Sequence, residues 1–275
     1  MKLSVVMALY RGECDEHFNA ALISIWDSQI LKPDEIVLVK DGPLTSSLED
    51  VIDKWKEKLG SKLNVIALLD NHGLGAALKT GLCACRFELV ARMDSDDLAA
   101  PERFQKQLNF LLENPAVDIL GSFVKEMSYF GEISKVRSVP IYHNDILQCL
   151  WASPMVHPSI MMRRSRVLHA GNYDARFRRR QDYELWFRCA EKGLRFYNLP
   201  EPLLYYRFDQ HTHKKQTPRL AWEQAMIGYR GSSRLGAPLL QRFACFIPFV
   251  RSLLPSRLQH SVYKILSPFD PRRRT

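Results

Sequence analysis

The chain has 275 residues, 46% of them apolar and 25% charged, with a formal net charge of +9. That balance excludes disorder and collagen-like order and leaves enough chain for one large globular domain with an appendage. There is no run of about 18 uncharged apolar residues to cross a membrane, and the start "MKLSVVMALYRGECDE" turns acidic too soon for a secretion signal, so a cytoplasmic location is expected.

In chain order, "LSVVMALY" reads as a strand and "DEHFNAALISIWDSQI" as a helix with apolar residues at helical spacing. "DEIVLVKDG" is a strand ending in a turn, and "SLEDVIDKWKEKLG" an amphipathic helix stopped by Gly60. "KLNVIALL", "GLGAALKTGLCAC" and "FELVARMD" continue as strand, small-residue helix and strand. This βαβαβαβ order predicts an α/β protein, a mostly parallel sheet with helices on both faces, and in such sheets ligands bind at the carboxyl ends of the strands. Four strand ends are then predicted to share one rim: Ala8 to Arg11, Lys40 and Asp41, Asn71 to Gly75, and Asp94 to Asp97.

The rim offers an aromatic (Tyr10), a carboxylate able to accept a base N–H (Asp41), a glycine-rich helix start (Gly73, Gly75) and clustered acids, the parts of a nucleotide-diphosphate site. Each part alone is weak; "NHGLG" is no Walker loop and "GLGAALKTG" no dinucleotide fingerprint. One acid of Asp94, Asp96 and Asp97 would serve as a helix cap, with Pro101 and Glu102 following as a first turn favours. Three together repel one another unless a cation or donors compensate them. Asp94 and Asp96, two apart on extended backbone, point the same way and form a seat for a hard divalent ion, Mg2+ or Mn2+.

The second half reads differently. "VDILGSFVKEM" and "ISKVRSVP" suggest an antiparallel pair, "HNDILQCLWA" a helix, "VHPSIMMRRS" a strand and "RRQDYELWFRCAEKG" a helix. Asp182 falls in the first turn of that last helix, where an acid also complements the helix dipole. His157 precedes a proline at the start of its strand, as a structural histidine often does. Trp151 and Trp186 have the shape to stack on a sugar ring or to fill a core.

The positive charge is confined to the tail: residues 1–209 hold 27 Lys/Arg against 28 Asp/Glu, and residues 210–275 hold 12 against 2. A nucleic-acid binder would spread its basic residues over the folded body, so no nucleic-acid partner is expected. The stretch "APLLQRFACFIPFVRSLLPSRLQHSVYKILSPF" mixes single Arg and Lys residues with Leu, Phe, Ile and Val. It reads as an amphipathic helical tail lying in a membrane interface through residues 236–266, or as a helix packed on the body with an Arg-rich outer face. The six cysteines include no Cys-x-x-Cys pair and read as reduced packing residues.

Taken together, "SVVMALYRG", "EIVLVKDGP", "NHGLGAALKTGL", "VARMDSDDLAAPERFQKQLNFLLENP", "VHPSIMMRR", "QDYELWFRCAEKG" and "NLPEPLLYYR" resemble, in order and spacing, the family 2 glycosyltransferases of GT-A fold. The look is nearest to enzymes that build bacterial exopolysaccharide and O-antigen repeat units, and it covers roughly residues 1–210. The resemblance implies a nucleotide-sugar-binding half over 1–120, an acceptor-binding half of the same domain over 121–210, and a separate tail over 211–275. It further implies inverting transfer of a sugar from a nucleotide-diphospho donor, by family habit a UDP-sugar, to a hydroxyl of an undecaprenyl-diphosphate-linked acceptor. Such an enzyme would sit peripherally on the inner face of the cytoplasmic membrane.

By the resemblance, Ala8, Tyr10, Asp41, Asn71, Lys79 and Asp94 bind the nucleotide sugar, and Asp94 and Asp96 bind the metal. Asp182 is the catalytic base, and His157 and Trp186 lie at the acceptor. Two positions depart from the pattern. Gln181 replaces the usual glutamate and removes a negative charge beside Asp182, and Asp209, followed by His211 and His213, stands where relatives often carry a histidine. Two other readings predict different assays: a sugar-1-phosphate nucleotidyltransferase, for which "ALYRGECDE" lacks the glycine-rich basic loop, and a non-catalytic membrane scaffold that binds nucleotide sugar, which only Gln181 favours.

Overall fold

The computed structural model describes residues 2–208 and 217–254. The first apolar stretch becomes a central strand, β1 (Leu3–Leu9), flanked in parallel by β2 (Glu35–Lys40) and β4 (Leu89–Met93), with β3 (Leu63–Ala67) parallel beyond β2. Leu3, Val5 and Met7 enter one apolar cluster and Val6 the opposite one. Covered on both faces, β1, β2 and β4 are near-continuously apolar rather than alternating, whereas β3, at the sheet edge, exposes Asn64 and Ala67.

The crossovers are α1 (Asp15–Ile25), α2 (Ser46–Leu59) and α3 (Leu74–Ala84). Thr45 caps α2 by accepting from the Leu48 N–H, and Gly60 ends it at φ +55°. Gly81 lets α3 lie on the sheet, since a Cβ there would be 2.6 Å from a Val6 methyl.

The second half continues the same sheet with β5 (Leu98–Ala99), β6 (Ile119–Met127), β7 (Ile133–Arg137), β8 (Met161–Arg163) and β9 (Phe196–Arg207). The strand order is β3-β2-β1-β4-β8-β6-β9-β5, with β7 on β6. Strand β8 runs antiparallel to both neighbours, so the sheet is parallel in its first half and mixed in its second; β6 and β9 pair in parallel and β5 returns antiparallel on β9. Helices α4 (Arg103–Glu113), α5 (His143–Gln148), α6 (Arg164–His169) and α7 (Gln181–Glu191) connect and cover these strands.

The expected hairpin of β6 and β7 is present, with Val124 opposite Arg137. The expected strand from Val156 is not: residues His157–Ser159 form a 3-10 turn, the strand is only Met161–Arg163, and the chain passes at once into α6. Pro158 explains the difference, because it lacks the N–H a ladder needs and has a fixed φ suited to a tight turn.

Beyond the sheet, α8 (Pro218–Arg234), α9 (Leu239–Ala244) and α10 (Ile247–Ser252) form a helical appendage on α7. The contact depends on small residues: a Cβ on Gly231 would fall 2.2 Å from the Phe187 ring, and one on Gly228 2.4 Å from the Tyr183 hydroxyl. No helix among the described residues is long and apolar enough to cross a membrane. The stretch 255–266 of the expected interfacial segment, and Asp209, His211 and His213, lie outside the described residues.

Candidate active site

The four strand ends meet on one rim, as the crossovers require. After β2, Asp41 is 5% exposed and organises the loop that starts α3: its carboxylate accepts from the N–H groups of His72 (2.8 Å) and Gly73 (2.9 Å) and from Asn71 Nδ2 (2.9 Å). Gly73 has φ +94°, which glycine adopts freely. Asp41 therefore orders the glycine-rich turn from beneath, and Asn71 stays exposed on the rim. Ala8 is half-buried near the end of β1 opposite Val39, Tyr10 is 43% exposed, and Lys79 projects one turn into α3, exposed.

After β4 the carboxylates of Asp94, Asp96 and Asp97 offer ligand oxygens all within 4.8 Å of one another. Burial and the Asp94 charge push the Asp96 carboxyl up to about 6, and burial with the Asp96 and Asp94 charges pushes Asp97 well above the usual carboxylate range. Asp97 accepts the Arg207 N–H at 2.7 Å through Oδ1, and its buried Oδ2 has no partner among the described residues. Three crowded acids, one with an orphaned oxygen, fit a hard divalent cation with oxygen ligands.

The cluster is held from below by two buried arginines that the sequence reading passed over. Arg92, 1% exposed, pairs with Asp94 and has no partner for Nε and Nη1 among the described residues. Arg103 is fully buried and donates from Nη2 to the carbonyls of Arg92 and Pro158, both at 2.8 Å. Arg92 sits in an apolar strand, where the sequence shows only an interruption of the pattern. At the other edge Arg207, ending β9, donates from Nε to the Asp96 carbonyl at 2.8 Å.

Asp182 lies in the first turn of α7, which abuts the glycine-rich loop. A Cβ on Gly75 would meet the Phe177 carbonyl at 2.4 Å and Gln181 Cβ at 3.3 Å. Asp182 and Asp94 both raise the Tyr173 phenol, after burial, and Arg92 lowers it, so the helix acid and the acidic cluster act on one buried ring. Gln181 is 3% exposed and its Oε1 has no partner among the described residues.

The two aromatic positions expected at the acceptor sit lower. His157 is 6% exposed, bonded through Nε2 to the Tyr173 hydroxyl at 2.7 Å, and burial holds its pKa well below the ordinary value, so it is neutral at physiological pH. Trp186 is fully buried, its ring 5.8 Å from His157 and 6.3 Å from Phe196. This corrects the expectation of Trp186 as a sugar platform: the apolar face of α7 packs on the sheet and takes the indole with it.

Comparisons with known proteins give the family and the fold. The family model described as glycosyl transferase family 2 matches residues 4–171. The chain is 38% identical to the amylovoran biosynthesis glycosyltransferase AmsE of Erwinia amylovora over 202 residues, 73% of this chain and 74% of that one. It is 34% identical to an Escherichia coli UDP-Gal:alpha-D-GlcNAc-diphosphoundecaprenol beta-1,3-galactosyltransferase over 216 residues, 78% and 77% of the two chains. Among solved structures, S. aureus TarS 1-349 in complex with UDP-GlcNAc matches with a TM-score of 0.65 at 20% identity, covering 98% of this chain and 80% of that one, which shows the shared fold.

Proposed function

The chain belongs to glycosyl transferase family 2, and we propose that it transfers a sugar with inversion from a UDP-sugar to a hydroxyl of a lipid-diphosphate-linked saccharide in bacterial surface polysaccharide assembly. The observations that support this reading are the three-carboxylate cluster after β4 and the packing of the glycine-rich loop, at Gly75, against the segment that leads into the helix bearing Asp182. The UDP-sugar and the lipid-linked acceptor follow the activity named for relatives such as the E. coli enzyme.

In this mechanism Asp182 accepts the proton of the acceptor hydroxyl as its oxygen bonds the anomeric carbon, and the nucleotide diphosphate leaves from the opposite face. One base suffices for a single displacement; retention would require a protein nucleophile as well. Asp94 and Asp96 would hold a divalent cation, Mn2+ or Mg2+, whose chemistry there is to stabilise charge on the departing diphosphate. Arg92 fixes the Asp94 carboxylate, and Arg207 fixes the loop that carries Asp96. Tyr10 supplies a face for the base, and Asn71 and Lys79 lie along the donor side. Asp41 acts through the loop that it orders.

Isothermal titration of UDP into the full chain with Mn2+, then with EDTA, and again on Asp96→Ala tests the reading. The expected result is binding that weakens at least about tenfold on removing either metal or carboxylate. UDP binding that ignores both changes would remove the acidic cluster from the donor site.

A further inference from the structure

His157 and Trp186, singled out by the sequence, take no part in the proposed chemistry, yet they meet beneath the rim. His157 begins a turn that is fixed to the strand leading to the acidic cluster. The Arg92 N–H donates to the Ile160 carbonyl at 2.8 Å, Arg103 Nη2 to the Pro158 carbonyl at 2.8 Å, and Gln107 Nε2 to the Ser159 carbonyl at 2.7 Å. The turn cannot shift without taking Arg92 with it, and Arg92 pairs with Asp94.

The partner of His157 belongs to the other side of the site. Tyr173 is fully buried in the segment that precedes α7. Its N–H donates to Asn172 Oδ1 at 2.7 Å, and Asn172 donates from Nδ2 to the Lys79 carbonyl of α3 at 3.1 Å. Arg188 of α7 closes on the same segment, donating from Nη1 to the Ala170 carbonyl at 2.8 Å and from Nη2 to the Asn172 carbonyl at 2.7 Å. Tyr173 is therefore tied to α7, the helix of Asp182. Between the two parts lies the 2.7 Å hydrogen bond of His157 Nε2 with the Tyr173 hydroxyl. The Trp186 indole, one turn of α7 beyond Asp182, packs edge-on to the imidazole, with centroids 5.8 Å apart at 70°.

We propose that His157 and Tyr173 are positioning residues for the transfer: their hydrogen bond, with Trp186 packed on the imidazole, sets where Asp182 stands relative to Asp94. This deepens the glycosyltransfer reading and rests on it, adding what holds the base in register with the acidic cluster. Both residues act through others, since they lie below the rim, 6% and 0% exposed. Apolar side chains can slide past one another by about 1–2 Å, whereas a buried hydrogen bond has one geometry and leaves two unsatisfied groups when it breaks. A displacement of about 1 Å between reacting groups lowers the rate about a hundredfold. A polar pin at this point therefore serves the chemistry, where further apolar packing would serve stability alone.

The test is NMR on the full chain with UDP and Mn2+ bound, because relaxation by the paramagnetic ion reads the distance from the acidic cluster to each amide of α7. Tyr173→Phe removes one oxygen and keeps the ring. His157→Gln keeps a polar group at the place of Nε2, and His157→Phe does not. Relaxation at the amides of residues 182–186 is expected to weaken in Tyr173→Phe and in His157→Phe, as α7 draws away, and to return to that of the unaltered chain in His157→Gln. UDP affinity should stay within about twofold in all three, and the amides of α2 should read the same throughout. Two outcomes would overturn the proposal: unchanged relaxation at 182–186 in Tyr173→Phe, whatever its melting temperature, or failure of His157→Gln to restore it, which would leave the pair a packing role alone. If UDP and Mn2+ do not bind the unaltered chain, the glycosyltransfer reading is struck instead. The metal-free amide shifts of residues 94–97 in Tyr173→Phe then decide: a change there upholds the link from α7 to the cluster, and none breaks it.

Discussion

Arg207 and Asp97 are 110 positions apart, yet the main-chain N–H of Arg207 donates to Asp97 Oδ1 at 2.7 Å. The end of β9 is thereby fastened to the acidic loop after β4, and the register of β5 on β9, Leu98 opposite Tyr205, makes the contact possible. Asp97→Asn keeps an acceptor for that N–H and removes one of three crowded charges. The metal-free Asn variant is expected to melt at or above the temperature of the unaltered chain at pH 7. Asp97→Ala leaves a buried N–H without its partner and should cost about 1–3 kcal/mol. Thermal melts of both variants in EDTA check the pair, and the same order of stability for the two would show that the contact is not what Asp97 contributes.

Asp96 is raised to about 6 by burial and by Asp94. A carboxyl raised on folding adds stability that is full below its unfolded value and is lost as pH climbs through the folded one. The metal-free chain should therefore lose stability between about pH 4 and pH 6 relative to Asp96→Asn, by about 1–3 kcal/mol. A cation needs the carboxylate ionised, so Mn2+ affinity is expected to fall as pH drops below 6, by up to about tenfold per unit for each proton displaced. Calorimetry with Mn2+ at three pH values measures the slope; a flat profile would mean that Asp96 is not a ligand.

Asp182 and Gln181 are neighbours with different surroundings, since Gln181 is buried with an unsatisfied Oε1 and Asp182 is half-exposed in the same first turn. Asp182→Asn is expected to lower kcat by about two to four orders of magnitude and to leave UDP affinity unchanged, as loss of a base should. Gln181→Glu puts a charge where no described donor awaits it and should destabilise the fold at pH 7 by about 1–3 kcal/mol, less at pH 4. Asp182→Asn with full turnover would dismiss it as the base.

Gly75 is the point where the donor loop touches the segment before Asp182, with the Phe177 carbonyl 2.4 Å from where a Cβ would stand. Backbone cannot yield as a side-chain tip does. Gly75→Ala should push the 174–181 segment away at a cost of about 1–3 kcal/mol and reduce turnover more than UDP affinity. A variant as stable and as active as the parent would show that the two loops move independently.

Much of this arrangement was legible because it follows from period and punctuation. The strands β1, β2 and β4 are near-continuous apolar runs, and each ends in the polar cluster that becomes the rim. The acid triplet announced itself by charge density alone. Burial of charge was not legible: only the fold sets Arg92 under Asp94 and brings the carbonyls of Arg92 and Pro158 to Arg103. Trp186 shows the same limit, because helical spacing tells which residues share a face and not what that face meets. The apolar residues after His157 suggest a strand, and Pro158 makes a 3-10 turn of His157–Ser159 instead.

The helical appendage carries the last expectation. Leu239, Leu240, Phe243, Ile247, Val250 and Leu253 are all 45% exposed or more, and they recur at helical spacing along α9 and α10. An exposed apolar surface of this kind marks an interaction site, and the net charge of the chain beyond residue 209, 12 basic against 2 acidic residues, opposes pairing with a second copy and favours anionic lipid. Co-sedimentation with vesicles containing phosphatidylglycerol is expected to pull down the full chain, more weakly at high salt, and Leu240→Glu/Phe243→Glu should reduce the bound fraction several-fold. UDP binding by that variant should be unchanged, since both side chains are exposed on α9, which packs on α8 and on the turn of residues 150–152. Equal sedimentation with neutral vesicles would assign the attachment to the apolar face without the charge; no sedimentation with either would leave the face to a protein partner.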